Sequence, residues 1–308
     1  MSADVMPITK NTNSPAKAPD SLWKTAWRRF TRNRLAVIGF ILIVFMFLFC
    51  FIGPYFSPYN LYDYNSKLKN LPPSSTYWLG TDKLGRDMLL RIMLAGRISL
   101  MVGLVATAIA VVIGATLGAL AGFYGKWVDT IIMRIADVFM ALPSLPILII
   151  LGAVLSDLKV NPKFRIYYLM VIIGVLFWTT LARLVRGQIL TLREQEFMQA
   201  TEALGLKDKR KIFRHLLPNT IPVIIVTATL SVASAILQES ALSFLGLGVV
   251  PPTPSWGNMI SAANNLIDFR KRPWLWIPPG TCILITTVAI NLIGDGLRDA
   301  LDPKMKKL

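Results

Sequence analysis

The chain has 308 residues, 54% of them apolar and only 16% charged, with a mean hydropathy of +0.54. Soluble domains carry about a quarter charged residues, so this composition excludes an ordinary soluble protein. The formal charge of +16 does not point to a nucleic-acid partner either, because the 33 Lys and Arg lie almost wholly between long apolar runs.

In chain order, Met1–Asp20 is rich in Pro, Ser, Asn and Lys and reads as a disordered stretch within a cytoplasmic tail over 1–34. Six apolar segments follow, each near the roughly 20 residues needed to cross a bilayer. They are Leu35–Phe56, Ile98–Ala121, Ile135–Leu155, Tyr167–Leu184, Pro222–Gly246 and Trp274–Ile293. The first reads as a retained anchor rather than a signal peptide: a long polar stretch precedes it, no small-residue cleavage site follows, and Gly53-Pro54 closes it. The expected fold is an all-α polytopic membrane protein, with a six-helix domain over 35–303 and a short cytoplasmic end at 304–308.

Between the first two segments, Asp82 precedes Arg86 by four residues and Asp87 precedes Arg91 by four. That is the favourable acid-first order on a helix, and Thr81 or Asp82 is a suitable cap. The spacing predicts a short amphipathic helix in the outer interface, with Met88, Leu89, Ile92 and Met93 as its apolar face. In the second segment Ala106, Ala110, Gly114, Gly118 and Gly122 recur every four residues, a spacing that lets helices approach closely in lipid. Pro143 and Pro146 interrupt the third, near whose inner end stands Asp137.

The long loop 186–218 predicts a small-faced helix from Phe197 to Leu204, using Phe197, Ala200, Thr201 and Leu204. Gly205 suits a left-handed stop, a basic amphipathic helix restarts after it, and Pro218 marks entry to the fifth span. In that span Thr227, Ser231, Ser234 and Gln238 share one face; in the sixth, Thr287, Asn291 and Asp295 do. Such faces are either polar glue between helices or the lining of a wet pathway, to which Asn291 is also assigned.

Orientation follows from Lys and Arg. With the N-terminus inside, 21 of the 33 fall on cytoplasmic segments and 12 outside, which predicts both termini in the cytoplasm.

Catalytic chemistry is poorly supplied. Gly125-Lys126 is followed by Trp127 and has no Gly five residues earlier, so a phosphate-cradling loop is absent. The single histidine, His215, sits among cations in the long loop, poorly placed as a buried base. Cys50 and Cys282 lie in apolar runs without ligand spacing, and no metal site is expected. The expectation is a non-enzyme. A secondary transporter is the alternative from another class, although no repeat between halves accompanies the broken third segment.

The run Ala200-Thr201-Glu202-Ala203-Leu204-Gly205, continuing through Ile212 to Leu217-Pro218, resembles the EAA loop of binding-protein-dependent ABC import permeases; Thr201 stands where Ala is common. Leu79-Gly80-Thr81-Asp82 with Gly85-Arg86-Asp87, Leu242–Gly248, Pro254–Gly257 and Asn291–Pro303 resemble the second, C-type permease of oligopeptide and dipeptide importers. The resemblance covers most of the chain from Ser21 to Pro303. It implies a type I importer fold with a cytoplasmic coupling helix, in the plasma or inner membrane of a prokaryote. It implies pairing with a second homologous permease, docking of two ABC ATPases, and delivery by an extracellular or periplasmic peptide-binding protein. Phe197, Ala200, Glu202, Ala203, Leu204, Gly205, Leu217 and Pro218 would then meet an ATPase. ATP would be used by those subunits, and this chain would bind no cofactor. Nickel or another small solute is the alternative cargo within the same architecture.

Overall fold

The computed structural model describes residues 22–301; the expected tail Met1–Asp20 and the end 304–308 lie outside the described residues. Among these, the regular structure is helical, with one isolated bridge between Thr81 and Asp87. The chain order is α1 (Leu22–Phe30), α2 (Arg34–Phe51), α3 (Met88–Tyr124), α4 (Lys126–Ala141), α5 (Ser144–Asp157) and α6 (Pro162–Arg193). Then come α7 (Glu196–Ala203), the short α8 (Asp208–Arg210), α9 (Leu217–Phe244), α10 (Trp256–Ile260), α11 (Leu266–Lys271) and α12 (Ile277–Leu301).

Five helices are long and apolar enough to cross a membrane, and α4 with α5 makes a sixth crossing if the two count together. That pair bends by 83° at Leu142-Pro143, where proline cannot continue the hydrogen-bond ladder. Large apolar side chains remain exposed around the bundle, among them Ile41, Val112, Ile150 and Leu284. A belt of this extent would aggregate in water and is satisfied by lipid tails.

The bundle is organised on α3 and α6. Gly114 and Gly118 bring the α3 backbone against the Trp178 and Ala182 carbonyls of α6; a Cβ on Gly114 would stand 2.7 Å from the Trp178 oxygen. Gly174 of α6 reciprocates, since a Cβ there would meet the Ala106 carbonyl at 2.8 Å. The small-residue stripe is therefore a helix–helix seam. Beside it, Trp256 is fully buried among Met46, Met88, Ile92 and Ile236, and its indole N–H donates to the Ile92 carbonyl at 3.1 Å.

Helix ends are satisfied locally. Asn33 accepts from the Leu35 and Ala36 amides to start α2, at 3.1 and 3.2 Å. Arg97 closes it from α3, donating to the Cys50 and Phe51 carbonyls at 2.9 and 2.8 Å. Near the break, Arg183 pairs with Asp137 and Arg186 with Asp129, tying α6 to α4.

The helix expected over Thr81–Arg91 does not form. Gly85 adopts φ +77 and the Asp82 carboxylate accepts from the Leu84 and Arg86 amides, at 2.8 and 2.9 Å, which closes a tight turn instead. Asp87 then caps α3 by accepting from the Leu90 amide at 2.7 Å. Asp82 and Arg86 do pair, but Arg91 lies beside Asp82 rather than Asp87. Met88, Ile92 and Met93 are buried in the bundle, not laid on its surface.

Candidate functional site

Two regions of the bundle hold the residues singled out from sequence. The first is the loop that carries α7. Gly122 of α3 lies against α6, and Arg193 donates to the Gly122 carbonyl at 3.2 Å, so the loop leaves from the C-terminal end of α3. The described chain ends lie at this end too: α1 packs on the last turns of α12 through Ala26, Phe30 and Ala300, and Arg298 shares a groove with Leu184 and Pro222.

Helix α7 runs from Glu196 to Ala203, one residue earlier at each end than expected. Its buried face also differs. Met198 and Thr201 point inward, and Thr201 donates its hydroxyl to the Met198 carbonyl at 2.7 Å. Phe197 is half-buried against Leu216 and its neighbours, whereas Ala200, Glu202, Ala203 and Leu204 are exposed, Leu204 at 75%. The expected face of Phe197, Ala200, Thr201 and Leu204 is thus split: Phe197 and Thr201 are used by this chain, and Ala200 and Leu204 are left outward. Gly205 has φ +63 and stops the helix as expected, with open space where a Cβ would point.

The basic stretch after Gly205 restarts at Asp208 but without a break at Pro218. Lys211–Leu216 is a π-helical segment that leads directly into α9, with the Leu217 amide bonded to the Ile212 carbonyl. Proline lacks an N–H and clashes with the carbonyl four residues back, and the wider winding relieves both. Asn219 donates its side-chain amide to the His215 carbonyl at 2.7 Å, taking up an acceptor there. Pro218 is exposed and Leu217 half-buried. Lys211 lies buried 3.8 Å from Glu202 and 3.7 Å from Asp208, bracing the turn below α7.

The second region is the open face of α9. Thr227, Ser231, Ser234 and Gln238 share one side that this chain leaves uncovered or half-covered. Thr227 and Ser231 spend their hydroxyls on carbonyls one turn back, at 2.9 and 2.8 Å. Ser234 is exposed, and Gln238 Oε1 is buried without a partner. On α12 the expected stripe divides: Thr287 is buried and donates to the Ile283 carbonyl at 2.8 Å, while Asn291 and Asp295 are exposed.

Sequence reasoning missed Glu239, next to Gln238 on the opposite side of α9. It is fully buried, and its hydrogen-bond partners are hydroxyls: Ser99 at 2.9 Å, Ser243 at 2.6 Å and Ser240 at 3.4 Å. Two of those serines also accept backbone amides, Ser99 from Trp256 at 3.3 Å and Ser243 from Val249 at 2.9 Å. One carboxyl thus joins α3, α9 and the segment returning toward α10. Its signal was available, because Glu239 is the sole acid in Pro222–Gly246 and an isolated acid in a span is rarely accidental.

Among the described residues, no group of three or more His, Cys, Asp and Glu is arranged to hold a metal ion. A helical bundle of membrane-crossing length that presents a short loop helix at one end defines a polytopic membrane protein. Residues 114–307 match the family described as binding-protein-dependent transport system inner membrane component, and residues 21–73 match the N-terminal transmembrane domain of oligopeptide transport permease C. The chain belongs to the binding-protein-dependent transport system inner membrane component family. It is 44% identical to the oligopeptide transport system permease protein OppC of Bacillus subtilis, over 93% of this chain and 91% of that one. It is 39% identical to the dipeptide transport system permease protein DppC of Alkalihalophilus pseudofirmus, over 97% of each. With the glutathione transport system permease protein GsiD of Pectobacterium atrosepticum it shares 39% identity over 92% of each chain. Family membership replaces the secondary-transporter alternative.

Proposed function

We propose that the chain is one of two membrane-spanning permease subunits of an ABC importer for short peptides, driven by separate ATPases. The observation that carries this reading is the outward face of α7: Ala200, Ala203 and Leu204 stand exposed on a helix stopped by Gly205, at the end where both described chain ends lie. Small residues on an exposed helix permit close seating in a partner's groove, and a groove contact can move the helix as a lever. That partner is an ATPase subunit, with Phe197, Leu217 and Pro218 at its edge and Glu202 available for a charge-assisted contact. The relatives named for oligopeptides, dipeptides and glutathione share a cargo chemistry of amide-linked residues with charged ends, and peptide is the cargo proposed here.

In this reading α7 faces the cytoplasm, both termini are cytoplasmic, and an extracytoplasmic binding protein loads the other end. A homologous permease covers the open side of α9, where Thr227, Ser231, Ser234, Gln238 and, from α12, Asn291 border the pathway. The subunit makes no covalent bond and holds no nucleotide; ATP is consumed by its partners.

The test is uptake of labelled trialanine into proteoliposomes holding the assembled complex, binding protein and ATP. ATP-dependent accumulation that disappears when this subunit is omitted supports the reading. Accumulation of no peptide, with ATP hydrolysis insensitive to the loaded binding protein, overturns it.

A further inference from the structure

At the end of the bundle opposite α7, a cavity of about 580 Å³ opens between the turn that begins at Thr81 and the segment around Pro251–Ala262. Its charged lining does not balance. Arg86 holds Asp82 through Nε and Nη2 at 2.8 and 2.6 Å, and the backbone amides of Leu84 and Arg86 occupy the other carboxylate oxygen. Lys83 and Arg272 both hold Asp268, at 2.8 and 2.6 Å. Of the charged residues lining the cavity, Asp82, Lys83, Arg86 and Arg91, the one carboxylate is taken by Arg86 and Lys83 turns to Asp268 outside the lining, which leaves Arg91.

Arg91 is only 9% exposed, yet its Nε and Nη1 find no hydrogen-bond acceptor. Nε stands 3.4 Å from Asp82 Oδ2, an ion-pair distance with an oxygen already engaged by Arg86. A guanidinium is a planar fork that matches a carboxylate in two parallel bonds, and it cannot shed its proton to escape burial. Met88, Met259 and Leu275 line the same cavity and offer apolar contact beside the fork. The volume falls in the range of small-ligand sites and far exceeds what one carboxylate group fills.

We propose that this cavity is a carboxylate-binding subsite in which Arg91 grips the free C-terminal carboxylate of a short peptide; the peptide source rests on the importer reading above. Arg91 is the anion-holding group, Arg86 and Asp82 fix its surroundings, and the apolar lining takes the aliphatic part of the terminal residue.

The experiment uses the assembled permease–ATPase complex in phosphatidylcholine nanodiscs, without binding protein. Saturation-transfer NMR reads contact with trialanine or with its C-terminal amide. The wild type should give at least a fivefold stronger signal for trialanine, and Arg91→Met should reduce it to the level of the amide. Leu84 lines the cavity and is 43% exposed, so Leu84→Glu can supply a competing carboxylate without disturbing the core. It should lower the trialanine signal as strongly, and Leu84→Gln should not. Equal signals for acid and amide, or a trialanine signal retained in both Arg91→Met and Leu84→Glu, would overturn the subsite. If the same wild-type complex takes up trialanine once binding protein is added, the importer reading survives that failure. If Arg91→Met instead weakens docking of the binding protein while neither peptide contacts the bare complex, the anion is an acidic side chain of that protein and the peptide assignment is overturned.

Discussion

Gly114 on α3 faces the carbonyl oxygen of Trp178 on α6 so closely that a Cβ would stand 2.7 Å from it. Neither backbone can withdraw without opening the seam. Gly114→Leu should therefore cost about 1–3 kcal/mol or more through overpacking. Gly187, further along α6, has open space for 4 Å around the point a Cβ would occupy, and Gly187→Ala should be neutral or stabilise by up to about 1 kcal/mol through helix propensity. Thermal unfolding of the purified subunit complex distinguishes the two; similar effects at both positions would remove the seam from the explanation.

The Glu239 cluster predicts a graded response. Glu239→Gln keeps an acceptor and most of the volume, and should cost about 1 kcal/mol. Glu239→Ala opens a cavity and leaves Ser99 and Ser243 without their shared acceptor, and should cost about 2–5 kcal/mol. Because Trp256 and Val249 bond to those serines, the alanine variant should also expose Leu245–Ser255 to protease at temperatures where the wild type resists. Unchanged proteolysis in a destabilised variant would confine the role to the helices.

At the α7 end, Gly205→Val should be worse than Glu202→Gln. Valine at φ +63 is strained by about 1–2 kcal/mol or more, whereas the Glu202 side chain is exposed and lies 3.8 Å from Lys211. Uptake and stimulation of ATP hydrolysis should be lost in Gly205→Val with the complex still assembled, and only reduced in Glu202→Gln. The reverse order would make charge, not the turn, the link to the ATPase.

Asp268 gives a pH dependence. Burial alone would raise its pKa, but hydrogen bonds from Lys83 and Arg272 and their charges outweigh this and hold it below the ordinary carboxylate value. A depressed folded-state pKa contributes stability that is present above the unfolded value of about 3.9 and is lost as pH falls through the folded one. The protection of the Asn265–Arg272 amides, their exchange taken relative to the intrinsic rate at each pH, should be high at pH 6 and fall below about pH 4. Asp268→Asn should leave that protection low and unchanged across this range.

The open side of α9 supplies a transport prediction. Ser234→Leu, on an exposed position, should leave assembly intact and slow peptide uptake several-fold. Undiminished uptake would assign this face to lipid or to the permease partner.

How legible is this in the sequence? Apolar runs locate the crossings but not their ends, since α3 (Met88–Tyr124) overruns Ile98–Ala121 and α12 runs on to Leu301, whereas the four-residue spacing from Ala106 to Gly122 locates the α3–α6 seam. The turn at Thr81–Asp87 reads wrongly as a helix: acid–base pairs four apart suit a helix, but Asp82 folds back on its own backbone and Gly85 takes a positive φ. Periodicity also cannot say which face of α7 this chain keeps, since Met198 and Phe197 are claimed by residues far along the chain. Pro218 reads as the entry to the fifth span, and α9 does begin at Leu217 with Pro218 in its first turn; the π-helical winding that joins it to the preceding stretch without a loop is what the rule cannot supply. Glu239 stands out as the sole acid of its span, but its partner Ser99 on α3 cannot be read from α9.

The winding at Lys211–Leu216 has a mechanical consequence. From Asp208 to Phe244 the backbone is one helical rod of 37 residues, about 55 Å long, with no slack turn between the α7 end and the Glu239 serines. A helix with no intervening loop passes tilt along its length: a few degrees at Asp208 becomes a displacement of several ångströms at Glu239, where α3 and the Trp256 segment are fastened, less what bending at Pro222 takes up. Had the chain broken at Pro218, the same push would have been spent bending a loop.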